Sequence, residues 1–257
     1  MLYQAIKFQK TGNVMVIHIN DSVSDRNGEA QRHYELAELS AEITLDEAVR
    51  VVVLTGSGEK SFSMGTDFMV GASGGNEGDT AKYWPVAEAI AGLDRPVIAA
   101  IHGDAIGQGL ELALACDVRI ASKTSSFGLP QIKAGHIPWD GGTQRLSRLV
   151  GKGKALEMIL TGEMIDAQEA YRIGLLNKVV SKEELMEVTM KLAQEMASKG
   201  PIALRYTKEA VYKGMDMTLE QGLRLEADLY LLIHTTQDRT EGIKAFQGKR
   251  TPTFEGK

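Results

Sequence analysis

The chain has little of several features that mark other classes of protein. Its 257 residues include one cysteine, Cys116, which excludes an internal disulfide and, in an apolar run, is typical of a core residue in a reducing cytosol. No uninterrupted apolar run reaches the ~18 residues of a membrane span, and the first residues show no signal-peptide pattern. The sequence therefore predicts a cytoplasmic protein that makes no membrane contact.

Further absences narrow the chemistry. The net charge is −5 and no dense basic run occurs, which argues against nucleic acid as a partner. The sequence lacks the zinc-ligand spacings C-x₂-C and H-E-x-x-H and the phosphate loop G-x-x-x-x-G-K-[ST], so we expect no metal site and no nucleotide hydrolysis. Residues 71–75 fit G-x-S-x-G, but no helix pattern follows Ser73 at once, which disfavours a serine esterase.

In the first half of the chain, strand patterns alternate with helix patterns. The strand patterns are residues 14–19, 51–54, 97–101 and 118–121, and the helix patterns cover residues 29–48 and a stretch beginning near Gln108. Such alternation is typical of βαβ units and a largely parallel sheet. The polar stretch 71–80 predicts a mobile loop, interpreted as a lid over a pocket.

The last third of the chain is helical in pattern. Apolar positions at helical spacing occur in residues 146–149, 155–160, 167–173, 182–198, 201–213 and 219–233. Asp166 is a predicted N-cap with Glu169 at capping-box spacing, and Gly174 a predicted C-cap. This region has no evident sheet of its own, so its apolar stripes must be buried on the core or on another subunit, which favours an oligomer.

The segment 105–111 carries the strongest chemical signal. A strand pattern runs through Gly107 and Gly109 into an apolar helix, and the N–H groups at a helix start suit a developing oxyanion. Glu111 stands in the first turn, about 4.5 Å along the helix axis from Gln108 and on the same face. An anion site one turn from a carboxylate predicts a site that handles an enolate.

Motifs in a specific order extend over nearly the whole chain. They are residues 54–58, 61–68, 95–100, 107–111, 115–117, 127–130, 141–146, 160–162, 166–167, 174–175 and 239–246. In this order they resemble the crotonase, or enoyl-CoA hydratase/isomerase, superfamily. The resemblance implies an α/β fold, with a spiral of ββα turns that we place over residues 1–195. It also implies a helical C-terminal region, over residues 196–257, that forms homotrimers, often paired into hexamers.

The resemblance further implies an enzyme of acyl-CoA thioesters. Coenzyme A would be part of the substrate, with no permanently bound cofactor. Two backbone N–H groups, mapped onto Thr66 and Gln108, would polarise the thioester carbonyl. Gln108 stands at the middle position of the family's usual triple glycine. Residues placed at the substrate or CoA are Ser63, Met64, Gly65, Asp67, Phe68, Gly107, His136, Trp139, Phe246 and Lys249. Tyr83 and Trp84 would cap an acyl pocket or merely pack beside it.

One departure from the family pattern shapes the functional hypothesis. Two glutamates flank the water in well-studied hydratases; Glu111 matches one, and Gln131 stands at the other. A neutral amide orients water but cannot exchange a proton near neutral pH. The leading interpretation is a hydratase or isomerase of α,β-unsaturated thioesters, with Glu111 as acid–base group and Asp140 as the second such group.

Two alternatives stay open at this point. The first is a carbon–carbon hydrolase of a β-diketone or β-ketoacyl-CoA, similar to the 6-oxocamphor hydrolase branch, in which Asp140 and His33 would act at the same oxyanion site. That branch has a histidine where this chain has Gln131, which counts against it. The second is a non-catalytic acyl-CoA-binding protein, which Gln131 favours.

Overall fold

Two sheets form the core of the computed structural model, which describes residues 3–20, 26–58, 61–63 and 84–257. The six-stranded sheet has the order β1 (Ile6–Thr11), β2 (Val14–Ile19), β3 (Val51–Gly56), β5 (Val97–Ile101), β7 (Val118–Ser122) and β10 (Lys178–Val180). The four-stranded sheet has the order β4 (Ser61–Ser63), β6 (Asp104–Ile106), β8 (Ser126–Gly128) and β9 (Ile165–Asp166). Pairing is parallel except between β1 and β2 and between β8 and β9.

Helices pack against the sheets, and the chain consists of helices after its last strand, β10. They are α1 (Arg26–Leu45), α2 (Ala87–Ala91), α3 (Gln108–Ala115), α4 (Gly142–Val150), α5 (Lys152–Thr161), α6 (Ala167–Arg172), α7 (Leu185–Ala197), α8 (Pro201–Gly214), α9 (Leu219–Ile233) and α10 (Gln237–Gln247). A 3₁₀ helix covers Pro130–Ala134. No helix in the described part of the chain is long and apolar enough to cross a membrane.

The strands and helices repeat as stacked ββα turns. The sequence β5, β6, α3 is one turn: it adds one strand to each sheet and then a helix, and the next turn adds β7 and β8 beside them. Strands β3 and β5 are buried along their whole length, because α1, α2 and α3 lie on one side of the sheet and α7 on the other. The predicted ββα spiral with C-terminal helices is thereby confirmed.

A close backbone contact joins two turns of the spiral where the site is expected. A Cβ atom on Gly109 would lie 1.9 Å from the carbonyl oxygen of Ser63, nearer than any real side chain can approach. Gly109 is therefore required for the end of β4 to pack against the first turn of α3. This contact brings residues 61–63 beside the 107–111 motif.

The C-terminal helices differ from the core in burial. Helix α7 packs on the large sheet through Leu185, Ala193 and Ala197, whereas α8 has no buried residue and α9 has one, Leu229. The change falls between α7 and α8, so the predicted boundary after residue 195 cuts the last turn of α7. The division of the chain into two domains stays a prediction.

Candidate active site

Helix α3 begins where the sequence predicts it, at Gln108. Gly107 has a φ of +57° and a ψ of −128°, outside the helical range, and its carbonyl accepts from the N–H groups of Leu110 and Glu111. The helix therefore begins at Gln108, whose N–H lies at the positive end of the helix dipole. The second predicted donor, Thr66, lies outside the described residues, as do Met64, Gly65, Asp67 and Phe68.

Glu111 is fully buried in that same turn. Its Oε1 atom accepts hydrogen bonds from the backbone N–H groups of Asp140, at 2.8 Å, and Gly142, at 2.7 Å. Its Oε2 atom lies 3.5 Å from Nε2 of Gln131. The two backbone donors fix the orientation of the carboxylate, and its second oxygen faces Gln131.

Gln131 is also buried, at the second residue of the 3₁₀ helix that follows β8. The backbone carbonyl of Gln131 accepts from the N–H of His136 at 3.0 Å, which brings His136 back to the same turn. The structure therefore brings Glu111, Gln131 and the backbone of Asp140 into one cluster, as the sequence predicts. At Oε2 the Glu111 carboxylate therefore meets the side-chain amide of Gln131.

The side chain of Asp140 makes a different set of contacts. Its Oδ2 atom accepts from the backbone N–H groups of Val86, at 2.8 Å, and Ala87, at 2.9 Å, and from Nε2 of Gln108 at 3.2 Å. Burial raises the pKa of this carboxyl, and the hydrogen bonds from Ala87, Val86 and Gln108 partly oppose that rise. The carboxylate is therefore directed at the start of α2 and at α3.

A glycine allows Glu111 to reach its backbone donors. A Cβ atom on Gly142 would lie 2.8 Å from Oε1 of Glu111 and 2.9 Å from Cβ of Pro138. The motif 141–146 thus has a structural reason at the site: its second residue must lack a side chain so that the carboxylate can approach the backbone. Sequence reasoning used this motif for the resemblance but did not connect it with Glu111.

Aromatic side chains gather beside the segment that precedes α2. The ring of Trp84 lies 5.5 Å from that of His33 and 5.1 Å from that of Tyr34, measured between centroids, and Nδ1 of His33 lies 2.7 Å from the carbonyl oxygen of Pro85. The carbonyl of Trp84 accepts from Nε2 of Gln108 at 2.8 Å. His33 is therefore connected to the site through the 84–87 segment, whereas Tyr83 lies outside the described residues.

The remaining predicted residues lie in two places. Ser63 is buried at the end of β4 against Gly109, and Trp139 is half-buried in the turn before Asp140. Phe246 and Lys249 lie at the end of α10 and just beyond it, both exposed, with Phe246 at 86%. Their contacts with substrate stay predictions, as do those of Gly107 and His136. The described residues contain no group of three His, Cys, Asp or Glu side chains that could hold a metal ion.

Sequence reasoning missed the side-chain contacts of Gln108. This side chain joins α3 to Trp84 and to Asp140, which lie 24 and 32 residues away in the chain. The family resemblance marked Gln108 as a departure from glycine, and that departure was the available signal. Spacing alone cannot identify such partners, because they come together only when the spiral turns stack.

Comparisons with known proteins agree with this geometry. The family model described as "Enoyl-CoA hydratase/isomerase" matches residues 9–257. The chain is 39% identical to the crotonyl-CoA hydratase of Syntrophomonas wolfei, over 100% of both chains. It is 38% identical to the (E)-benzylidenesuccinyl-CoA hydratase of Thauera aromatica, over 98% of this chain and 99% of that one. The crystal structure of an enoyl-CoA hydratase from Bacillus anthracis matches with a TM-score of 0.89 at 40% identity, over 99% of this chain and 100% of that chain.

The stacked ββα turns, with a buried carboxylate in the helix turn that follows β6, define an enzyme of the crotonase fold. This chain belongs to the enoyl-CoA hydratase/isomerase family. The predicted family and the predicted type of enzyme, one that acts on acyl-CoA thioesters, are both confirmed.

Proposed function

We propose that the protein adds water to the double bond of an α,β-unsaturated acyl-CoA. The observation that carries this proposal is the placement of Glu111: it is fully buried, held by two backbone N–H groups, and one helix turn from the N–H of Gln108. Relatives that match over nearly their whole length are named crotonyl-CoA hydratase and (E)-benzylidenesuccinyl-CoA hydratase. The names support hydration and leave the acyl group of this protein's substrate open.

The proposed reaction gives Glu111, Gln108 and Thr66 the roles that the resemblance implies. The N–H groups of Gln108 and Thr66 hold the thioester oxygen, and Glu111 accepts a proton from water as its oxygen bonds to the β-carbon. The electrons of the double bond move onto the thioester oxygen, forming an enolate that the fixed N–H dipoles stabilise. When the enolate collapses, the α-carbon takes a proton from Glu111, so the carboxylate is regenerated and one water has been added.

Gln131 has a supporting role in this scheme. Its side-chain amide lies beside Oε2 of Glu111 and can orient the water through hydrogen bonds, but it cannot take the proton. One carboxylate, Glu111, therefore serves as base and then as acid. The predicted use of Asp140 as a second acid–base group is tested separately below.

The test replaces Glu111 with glutamine, which keeps the shape and removes the acid–base function. With crotonyl-CoA as substrate, we expect kcat to fall by about 10²-fold or more in Glu111→Gln. The exposed Glu163→Gln is the matched control and should leave kcat unchanged. Unchanged turnover in Glu111→Gln, with normal folding and CoA-ester binding, would contradict the assignment.

Isomerisation is the second candidate, because Gln131 puts an amide rather than a second carboxylate beside Oε2 of Glu111, and one acid–base group is enough to move a proton between two carbons. Mass spectrometry in H₂¹⁸O separates the reactions. A 2-enoyl-CoA that gains one water establishes hydration, whereas a 3-enoyl-CoA whose double bond moves without a mass change establishes isomerisation. Ring opening of a cyclic β-diketone, with ¹⁸O in a new carboxylate, would favour the hydrolase alternative. Binding of thioesters without turnover would favour the acyl-CoA-binding alternative.

We also propose that the protein is a homotrimer, alone or paired into a hexamer. The support is the apolar surface that α8, α9 and α10 leave uncovered, including Leu219 at 80% exposure and Leu231 at 63%. A cavity of about 970 Å³ between α4 and α8 continues this surface, with Leu149, Val211 and Met215 among its lining residues. Sedimentation analysis measures the assembly directly.

The cytoplasmic location and the lack of a permanent cofactor stay predictions.

A further inference from the structure

Asp140 joins three segments that the chain places far apart. Its carboxylate holds the backbone of Val86 and Ala87, and it also accepts from the Gln108 side chain at the start of α3. Its own backbone N–H donates to Glu111. The main chain of Asp140 therefore contacts Glu111, while its side chain contacts the start of α2 and the start of α3.

The contacts of Oδ2 favour one of two roles for the carboxylate. A group that exchanges protons with substrate must present an oxygen to the reacting atoms. Oδ2 of Asp140 accepts three hydrogen bonds from protein donors, two of them the backbone N–H groups of Val86 and Ala87. Accepting several hydrogen bonds from fixed donors is what a buried carboxylate does when it locks segments together.

We propose that Asp140 is a positioning residue, paired with the Gln108 side chain, that locks the 84–87 segment onto α3 and so fixes the Glu111 carboxylate relative to the Gln108 N–H. This proposal rests on the function proposed above and departs from the predicted acid–base role of Asp140. The Gln108 side chain, which replaces a family glycine, completes the lock by bridging the Trp84 carbonyl and Asp140.

The lock has a direct consequence for Glu111. Oε1 of Glu111 is held by the N–H groups of residues 140 and 142, so the position of that turn sets the position of the carboxylate. If the Asp140 side chain releases the start of α2, the turn is free to shift and the carboxylate shifts with it. Displacements of about 1 Å at a reacting group can cost about 10²-fold in rate.

Two substitutions separate positioning from acid–base chemistry. Asparagine at 140 keeps an oxygen that accepts from Val86 and Ala87, but it cannot exchange a proton. We expect Asp140→Asn to retain kcat within about tenfold, with its pH profile unchanged, and Asp140→Ala to lose about 10²-fold in kcat with little change in KM. A loss of about 10²-fold or more in Asp140→Asn, together with a changed pH profile, would overturn the proposal in favour of acid–base catalysis.

A double-mutant cycle tests the pairing with Gln108. If the two side chains form one lock, Gln108→Ala and Asp140→Ala should be non-additive, so that the double variant loses little more kcat than Asp140→Ala alone. Full additivity would overturn the paired lock. The same cycle measured by denaturant unfolding reports the coupling without any substrate. If the wild-type protein turns over no enoyl-CoA, the proposed function fails, while the unfolding cycle still shows whether the lock exists.

Glu35 provides a matched control for stability. It is buried like Asp140, and its carboxylate also accepts from consecutive backbone N–H groups, those of Gln4, Ala5 and Ile6. We expect Glu35→Ala to lower stability while the folded protein keeps wild-type kcat. If Asp140→Ala behaved in the same way, with stability lost and kcat kept, Asp140 would be a structural residue and the proposal would be wrong.

Discussion

The spiral core and the C-terminal helices bury their apolar residues in different ways. In the core, β3 and β5 are covered on both faces by elements of the same chain. In α8 and α9, a single residue is buried, and large apolar side chains lie exposed. The described core is therefore covered by the chain's own helices, whereas the C-terminal helices leave large apolar side chains uncovered. Because Glu111 and its described contacts lie in the core, the shape of the site and the assembly of the protein can be perturbed separately.

The largest expected effect is the difference in stability between adding one methyl group in the core, at Gly109, and adding one in the C-terminal helices, at Gly222. Alanine at Gly109 would place its Cβ 1.9 Å from the Ser63 carbonyl oxygen, a backbone atom that cannot move aside easily. We therefore expect a loss of about 3 kcal/mol or more in the free energy of unfolding. In Gly222→Ala the new Cβ would lie 3.6 Å from Cα of Gly214, an ordinary contact, and alanine in a helix is favoured by about 0.5–1 kcal/mol.

Denaturant unfolding of the two variants beside wild type measures this difference. Gly109→Ala should also lose turnover, because displacing Ser63 at the end of β4 disturbs the first turn of α3, where Gln108 and Glu111 lie. Equal stability in the two variants would show that the core is as adaptable as the C-terminal helices, against the comparison drawn above.

How far the sequence predicted these regions depends on the range of the interactions involved. The start of α3 at Gln108, the bounds of α9, and the Asp166 cap that accepts from the Glu169 N–H agree with local patterns, because caps and apolar periodicity act within a few residues. Strands β4, β6 and β8 have three residues each, and their pairing partners, rather than their composition, define them. Helix α10 has few apolar residues, so periodicity does not indicate it, and only the resemblance, which implies a helical region over residues 196–257, covers it.

The same distinction between short-range and long-range interactions separates the predictable from the unpredictable parts of the candidate site. The anion site and Glu111 could be predicted, because they share one strand–helix junction, and the resemblance added Gln131 and Asp140. The Gln108 contact with the Trp84 carbonyl and the direction of the Asp140 carboxylate could not, since both depend on how separate turns of the spiral stack. Thr66 and the 71–80 loop lie outside the described residues, so their predicted roles remain to be measured.

A smaller effect is expected from a charge on the uncovered helices. Leu231→Asp places a carboxylate in the apolar surface of α9, and centrally buried interface residues contribute about 2 kcal/mol or more to association. We expect sedimentation to show a lower mass than the wild-type oligomer, with the helical circular dichroism signal preserved. The exposed Glu226→Gln on the same helix is the control. An unchanged oligomer in Leu231→Asp would mean that this part of α9 is not the interface.

The smallest effect concerns Cys116, which lies where the two regions meet. This thiol is 1% exposed and borders the cavity between α4 and α8, and burial raises its pKa to about 12. The thiolate is the reactive form, and because the pKa is raised, its fraction at pH 8 is small and rises tenfold with each unit of pH below 12.

We therefore expect slow reaction of Cys116 with a thiol reagent at pH 8 in the wild-type protein. In Leu231→Asp the rate should rise, since α8 without its neighbours opens more often and exposes a thiol of lower pKa. Equal rates in both proteins would mean that α8 is held on the core by its own contacts, including the ion pair of Lys208 with Asp117, and that assembly adds nothing to its attachment.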